Sequence, residues 1–206
     1  MTVGTILKDG LGLGLKNFLS LIAVVILYTL TCWIPYLNVG TTIALISLPA
    51  AMSRGEAISP TEIFDGKYRK NMGNFFLLCV FYSMAVVIGV LFGVIPGIVL
   101  GHAWFIAFLL LVDKEMEPLQ ALAESNKRTY GKKMTIFLAF LLLGIVYFLA
   151  YFLVAMIFSG AFYHGYVGGV SMIFSLVSWM LVLLYFPIQM GCQAVVYREL
   201  TSDFKS

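Results

Sequence analysis

From Phe75 to Val112 the chain runs for 38 residues without a single Asp, Glu, Lys or Arg. As one straight helix this run would be about 57 Å long at 1.5 Å per residue, nearly twice the roughly 30 Å of a bilayer's hydrocarbon. An uncharged stretch of this length belongs in a membrane, and it has to turn back on itself to fit. Ile95, Pro96 and Gly97 supply the break, because proline lacks the N–H that a continuing helix needs. The run therefore predicts two membrane spans, over 75–95 and 98–112, folded into a hairpin.

The same reasoning along the rest of the chain predicts an all-α polytopic membrane protein with six transmembrane helices in three hairpins, over 18–52, 75–112 and 134–197. The hairpins form a single transmembrane domain covering 1–206. Charged residues make up 11% of the sequence, against about a quarter in soluble domains. Trp33, Pro35 and Tyr36 mark the first turn, at the headgroup level that aromatic residues favour. The first 17 residues carry Gly10, Gly12 and Gly14, but no strand precedes them, so the spacing is not that of a dinucleotide-binding loop. They read as a surface-lying entry segment, with a first span rather than a cleaved signal peptide behind it.

Two cytoplasmic interfacial amphipathic helices are expected between the hairpins, at about 60–72 and 118–130. Ser59, Pro60 and Glu62 make a helix-start signal for the first; Ile63, Phe64 and Tyr68 share one face, and Gly73 closes it. Pro118 opens the second, Leu119, Leu122 and Ala123 form its apolar face, and Gly131 ends it. The basic residues fall as two before the first span, four between the second and third, five between the fourth and fifth, and two after the sixth. The alternate turns carry none, and all 10 acidic residues share the charged side. By the positive-inside rule both termini face the cytoplasm, as in a bacterial inner-membrane protein.

An internal repeat follows the same order. Pro60 and Pro118, Lys70 and Arg128, and Gly73 and Gly131 are each separated by 58 positions, and Ile-Pro recurs at Ile34-Pro35 and Ile95-Pro96. The run IPGIVLGHAWFIAFLLLVD followed by EPLQALAESNKRTYGKKMTIF resembles the bacterial YciC-like membrane proteins and the related membrane domain of some glycerophosphodiester phosphodiesterases. Pro96, Gly97, Trp104, Asp113, Ala121, Ser125 and Gly131 carry the resemblance. It implies a six-helix inner-membrane fold with no established activity, and the phosphodiesterase catalytic domain is missing from this chain.

Gly89, Gly93, Gly97 and Gly101 recur every four residues, a spacing that lets helices approach closely. Together with Pro96, His102 and Trp104 they form a candidate hairpin or gate. His102 is the one histidine in the predicted spans. With His164 of the outer turn it would make a poor ligand set, so a hydrogen-bonded structural histidine is the competing reading. Ser159 follows Ile157 where an intramembrane hydrolase would need glycine, and the predicted spans hold no carboxylate for acid–base work. Cys32, Cys79 and Cys192 are scattered at apolar positions. No catalytic residue, cofactor or metal is expected.

Gln189 and Gln193 lie one turn apart and suit hydrogen bonds across a bundle. The absence of Asp, Glu and Arg from the predicted spans counts against proton-coupled or ion-coupled transport. Lys67, Arg69, Lys70, Lys127, Arg128, Lys132 and Lys133 remain as a candidate surface for lipid or a partner, diluted by Glu115, Glu117 and Glu124. The expected function is a non-enzymatic accessory or scaffold that docks lipid or a partner protein on its cytoplasmic helices. The alternative is a small channel or transporter for an uncharged or weakly polar solute, gated at Gly89–Gly101. Expected partners are membrane lipids, with a membrane protein or a second copy of the chain; no basic run tracks nucleic-acid phosphates.

Overall fold

The computed structural model describes residues 1–163 and 167–205, and no strand occurs among them. The order is α1 (Val3–Lys16), α2 (Phe18–Thr31), α3 (Leu37–Ser53), a 3-10 turn (Pro60–Phe64), α4 (Lys67–Lys70) and α5 (Met72–Leu91). There follow α6 (Val94–Ala103), α7 (Ala107–Asp113), α8 (Pro118–Thr129), α9 (Lys133–Tyr163), α10 (Val167–Leu200) and a last 3-10 turn (Ser202–Lys205). Four stretches are long and apolar enough to cross a membrane: α5, α6 with α7, α9 and α10. A fifth arises if α1 and α2, bent by 72° across Asn17, count as one span. Six were expected. The missing one is α3, whose 17 residues reach about 25 Å against a hydrocarbon thickness of about 30 Å.

Burial explains what α3 does instead. Nine of its 17 residues are buried, among them Ile43, Ala44, Ser47, Leu48 and Met52, and α2, α4, α7, α10 and the first 3-10 turn all pack on it. Each large apolar side chain enclosed in this way contributes about 1.5–3 kcal/mol. The long helices divide along their length. In α10, Met190, Cys192, Ala194, Val195, Val196 and Tyr197 are buried, whereas Met172, Leu176, Trp179 and Met180 stand exposed. In α9, Ile136 and Ala139 are buried and Val146, Phe148, Leu153 and Ile157 are exposed; in α5, Phe75 and Leu78 are buried and Met84 and Leu91 exposed. The fold thus has a packed end rich in polar contacts and apolar surfaces beyond it that are compatible with a bilayer.

The packed end depends on a close helix crossing. α1 is capped by Thr2, whose hydroxyl accepts from the Thr5 amide, and it runs antiparallel to the end of α10. A methyl added at Gly10 would come within 2.6 Å of Cys192 Sγ, and one at Gly14 within 2.5 Å of the Pro187 carbonyl oxygen. A methyl at Gly191 would collide with the Gly10 carbonyl oxygen. The expected entry segment is therefore a helix docked backbone to backbone on the core, with Ile6, Gly10 and Gly14 as its buried row.

Three local expectations also change. The α5–α6 turn falls at Phe92 and Gly93, where Gly93 adopts φ +141; Pro96 sits in the first turn of α6, where its missing N–H costs no hydrogen bond. The helix expected over 60–72 divides, because the Asp65 carboxylate accepts from the Lys67 amide at 3.0 Å and restarts the chain after the 3-10 turn. Gly73 lies inside α5 rather than ending a helix. Gly131 does end α8, at φ +75. α8 buries Pro118, Ala121, Leu122, Ser125 and Thr129 against protein, while Leu119 remains 64% exposed.

Candidate functional site: the charged base

α3, α7 and α10 end close together, and charged side chains tie those ends into one base. Asp113, the last residue of α7, is 10% exposed at its side chain. Its Oδ1 accepts from Arg54 Nη1, just past α3. Its Oδ2 accepts from the Tyr197 hydroxyl of α10 at 2.7 Å and pairs with Lys114 Nζ at 3.1 Å. Arg54 also donates from Nε to Glu56 at 2.6 Å. Glu56 first, and Asp113 after it, hold the guanidinium protonated above its ordinary value against the opposing effect of burial. Arg54, in turn, holds the Glu56 carboxyl below the ordinary range.

Further clasps surround this centre. Arg198 of α10 pairs with Asp9 of α1 at 3.2 Å. Arg128 of α8 donates to Glu124 and to the Leu200 carbonyl, each at 2.6 Å, and its guanidinium lies 4.0 Å from the Phe204 ring centroid. Where α6 and α7 separate, the Ala103 carbonyl is left without a helical partner; Ser125 and Thr129 of α8 donate to it at 2.9 and 3.0 Å. Asn17 accepts from the Ile58 amide at 3.3 Å at the α1–α2 bend. A cavity of about 180 Å³ opens beside Arg54, Asp113, Tyr197 and Phe204. Another, of about 160 Å³, lies across the Arg54–Asp113 pair beside Ser47, Glu62 and Tyr68.

The seven basic residues singled out in the sequence do not form one surface. Lys67 is clasped by Glu62 at 2.7 Å, which raises its pKa, and lies 3.6 Å from Asp65. Arg128 is held internally as above. Arg69 lies over the Tyr36 ring at 5.9 Å, with its stem against Gly40. Lys133 donates to Asn126 at 2.9 Å. Among the described residues, Lys70, Lys127, Lys132 and Lys133 have no ion pair with an acid. Lys70 and Lys127 are exposed, Lys132 partly so. They precede α5, lie on α8 and precede α9.

The glycine hairpin is closed. A methyl at Gly89 would lie 3.1 Å from Gly97 Cα, and one at Gly97 would meet the Val90 side chain. Gly101 faces the Tyr82 hydroxyl, and Trp104 packs near the Tyr82 ring at 6.1 Å. His102 Nδ1 sits 2.8 Å from the Ile98 carbonyl, and its ring meets Phe137 edge to face. His164 lies outside the described residues. Sequence reading missed Arg54 and Tyr197, whose partner Asp113 is 59 and 84 positions away. Among the described residues no three His, Cys, Asp or Glu side chains gather in a way that could hold a metal ion. No family model, curated protein or solved structure matches the chain.

Proposed function

We propose that the protein is a non-enzymatic scaffold of the bacterial cytoplasmic membrane whose base gathers anionic lipid headgroups. The observation that carries this is the division among the basic residues. Arg54, Lys67, Arg128 and Arg198 are occupied by acids of the fold, whereas Lys70, Lys127 and Lys132 are not. Lys70 and Lys132 also stand just ahead of the N-termini of α5 and α9, where a cation opposes the helix dipole and an anion relieves it. Lysines at the cytoplasmic surface each add about 1 kcal/mol of attraction to anionic lipid.

In this reading α5, α6 with α7, α9 and α10 span the membrane, and both termini lie in the cytoplasm with the charged loops. The α2–α3 pair does not cross. Arg69 and Tyr36 share a depth because they stack, and arginine in hydrocarbon costs at least about 2.5 kcal/mol. Both then belong to the cytoplasmic headgroup layer, with the exposed Leu19, Ile26 and Leu30 of α2, and Trp33 just after it, turned to the bilayer. The resemblance to the YciC-like family implies six membrane helices, and this reading departs from it by keeping α2 and α3 on the cytoplasmic side.

The test compares wild type with the Lys70→Gln, Lys127→Gln, Lys132→Gln triple variant in lipid discs of equal phosphatidylglycerol and phosphatidylcholine. Lipid retained on extraction into detergent is counted. Wild type is expected to enrich phosphatidylglycerol, and the triple variant to lose at least about fivefold of that preference. An unchanged preference would contradict the proposal.

A further inference from the structure

Outside the base, α6 and α9 enclose a groove of about 330 Å³ whose walls are Ile95, Ile98, Val99, Met134 and Phe137. His102 adds its ring, with Nδ1 already turned to the Ile98 carbonyl. One cation lines the groove, Lys133. Its ammonium is bonded to the neutral Asn126 side chain and to no acid.

We propose that this groove holds one acyl chain of an anionic phospholipid, with the headgroup phosphate on Lys133. The inference rests on the lipid-docking reading of the base and names a single defined site within it. Charge complementarity selects the occupant. Lys133 opens α9, whose first turn contains no acidic residue; the amide N–H groups there lack helical acceptors and favour an anion. A phospholipid brings an apolar chain for the isoleucine and phenylalanine walls and a phosphate for Lys133 in one molecule. An apolar helix from a partner would fill the walls and leave the ammonium without a counter-charge. Helices α6 and α9 both belong to stretches apolar enough to span a membrane, so the groove faces acyl chains along its open side.

The experiment is mass spectrometry of the intact chain, released into detergent from discs of equal phosphatidylglycerol and phosphatidylcholine. Wild type should keep one phosphatidylglycerol per chain beyond those held at the base. Ile98→Trp, which fills the groove and leaves every lysine in place, should retain one lipid per chain fewer than wild type; Val99→Phe is the second filler if the first variant folds poorly. Lys133→Gln should still retain a lipid, with its preference for phosphatidylglycerol lowered about fivefold.

The proposal is overturned if wild type retains no lipid, if it retains both lipids equally, if the groove-filling variants keep the lipid, or if a second copy of the chain is bound instead. The two readings fail separately. An unchanged phosphatidylglycerol preference in the Lys70, Lys127 and Lys132 variant sinks the reading of the base and leaves Lys133 and the groove untouched. A lipid that survives Ile98→Trp sinks the groove alone.

Discussion

At the scale of single residues, the base is held by Asp113. With its side chain 10% exposed, it accepts from Arg54 and Tyr197 together, so removing a donor leaves an under-satisfied carboxylate in a packed site. Arg54→Ala is expected to cost roughly 2–3 kcal/mol and Tyr197→Phe about 1.5 kcal/mol. Thermal melting of the detergent-solubilised protein measures both, and the double variant should cost less than their sum because the two donors share one acceptor. A pH effect follows from Glu56. Its folded pKa is below the ordinary 4.5, chiefly through its hydrogen bond from Arg54, so its stabilising contribution is complete above that value and is lost as pH falls through the folded one. Melting temperature should decline on acidification below about pH 4.5, and Glu56→Gln should flatten that limb. Glu56 is half exposed, so solvent screening keeps the effect small.

At the scale of elements, the α1–α10 crossing separates glycines that matter from those that do not. Gly10 meets Cys192, whereas nothing lies within 4 Å of a methyl added at Gly12. Gly10→Ala should destabilise by about 1–3 kcal/mol through overpacking, and Gly12→Ala should stabilise by up to about 1 kcal/mol through helix propensity. Equal effects in a melting series would contradict the docking of α1. Some helix ends were legible in the sequence, because proline and glycine act locally: Pro118 opens α8 and Gly131 closes it. The sequence could not show that Gly10 faces a neighbour, since that neighbour, Cys192, is 182 positions away. The base was illegible for the same reason. Arg54, Asp113 and Tyr197 stand in separate segments, and no local pattern announces that they meet. The seven-residue basic surface was too generous, because charge counting does not reveal that Glu62 and Glu124 claim Lys67 and Arg128.

At the scale of the whole molecule, burial is polarised along α5, α9 and α10, and the polar clasps gather at one end. That division is compatible with exposed apolar surfaces lying within a membrane, and in the proposed reading the charged base lies at one face of it. Hydropathy alone counts α2 and α3 as a crossing hairpin; Arg69 over Tyr36 supports the proposed reading in which its turn stays on the charged side. Cysteine introduced as Asn38→Cys, beside that turn, should therefore resist an impermeant maleimide added outside intact cells and react once the cytoplasmic face is opened. Because Cys32, Cys79 and Cys192 are free thiols, the label is followed in a background where they are replaced by serine. The central claim is that the base collects anionic lipid. It is tested most directly by extracting the wild-type protein in native lipid discs and weighing the lipids that leave with it against the bulk membrane. Anionic phospholipid should be enriched around the protein; a lipid complement identical to the bulk would contradict lipid collection by the base.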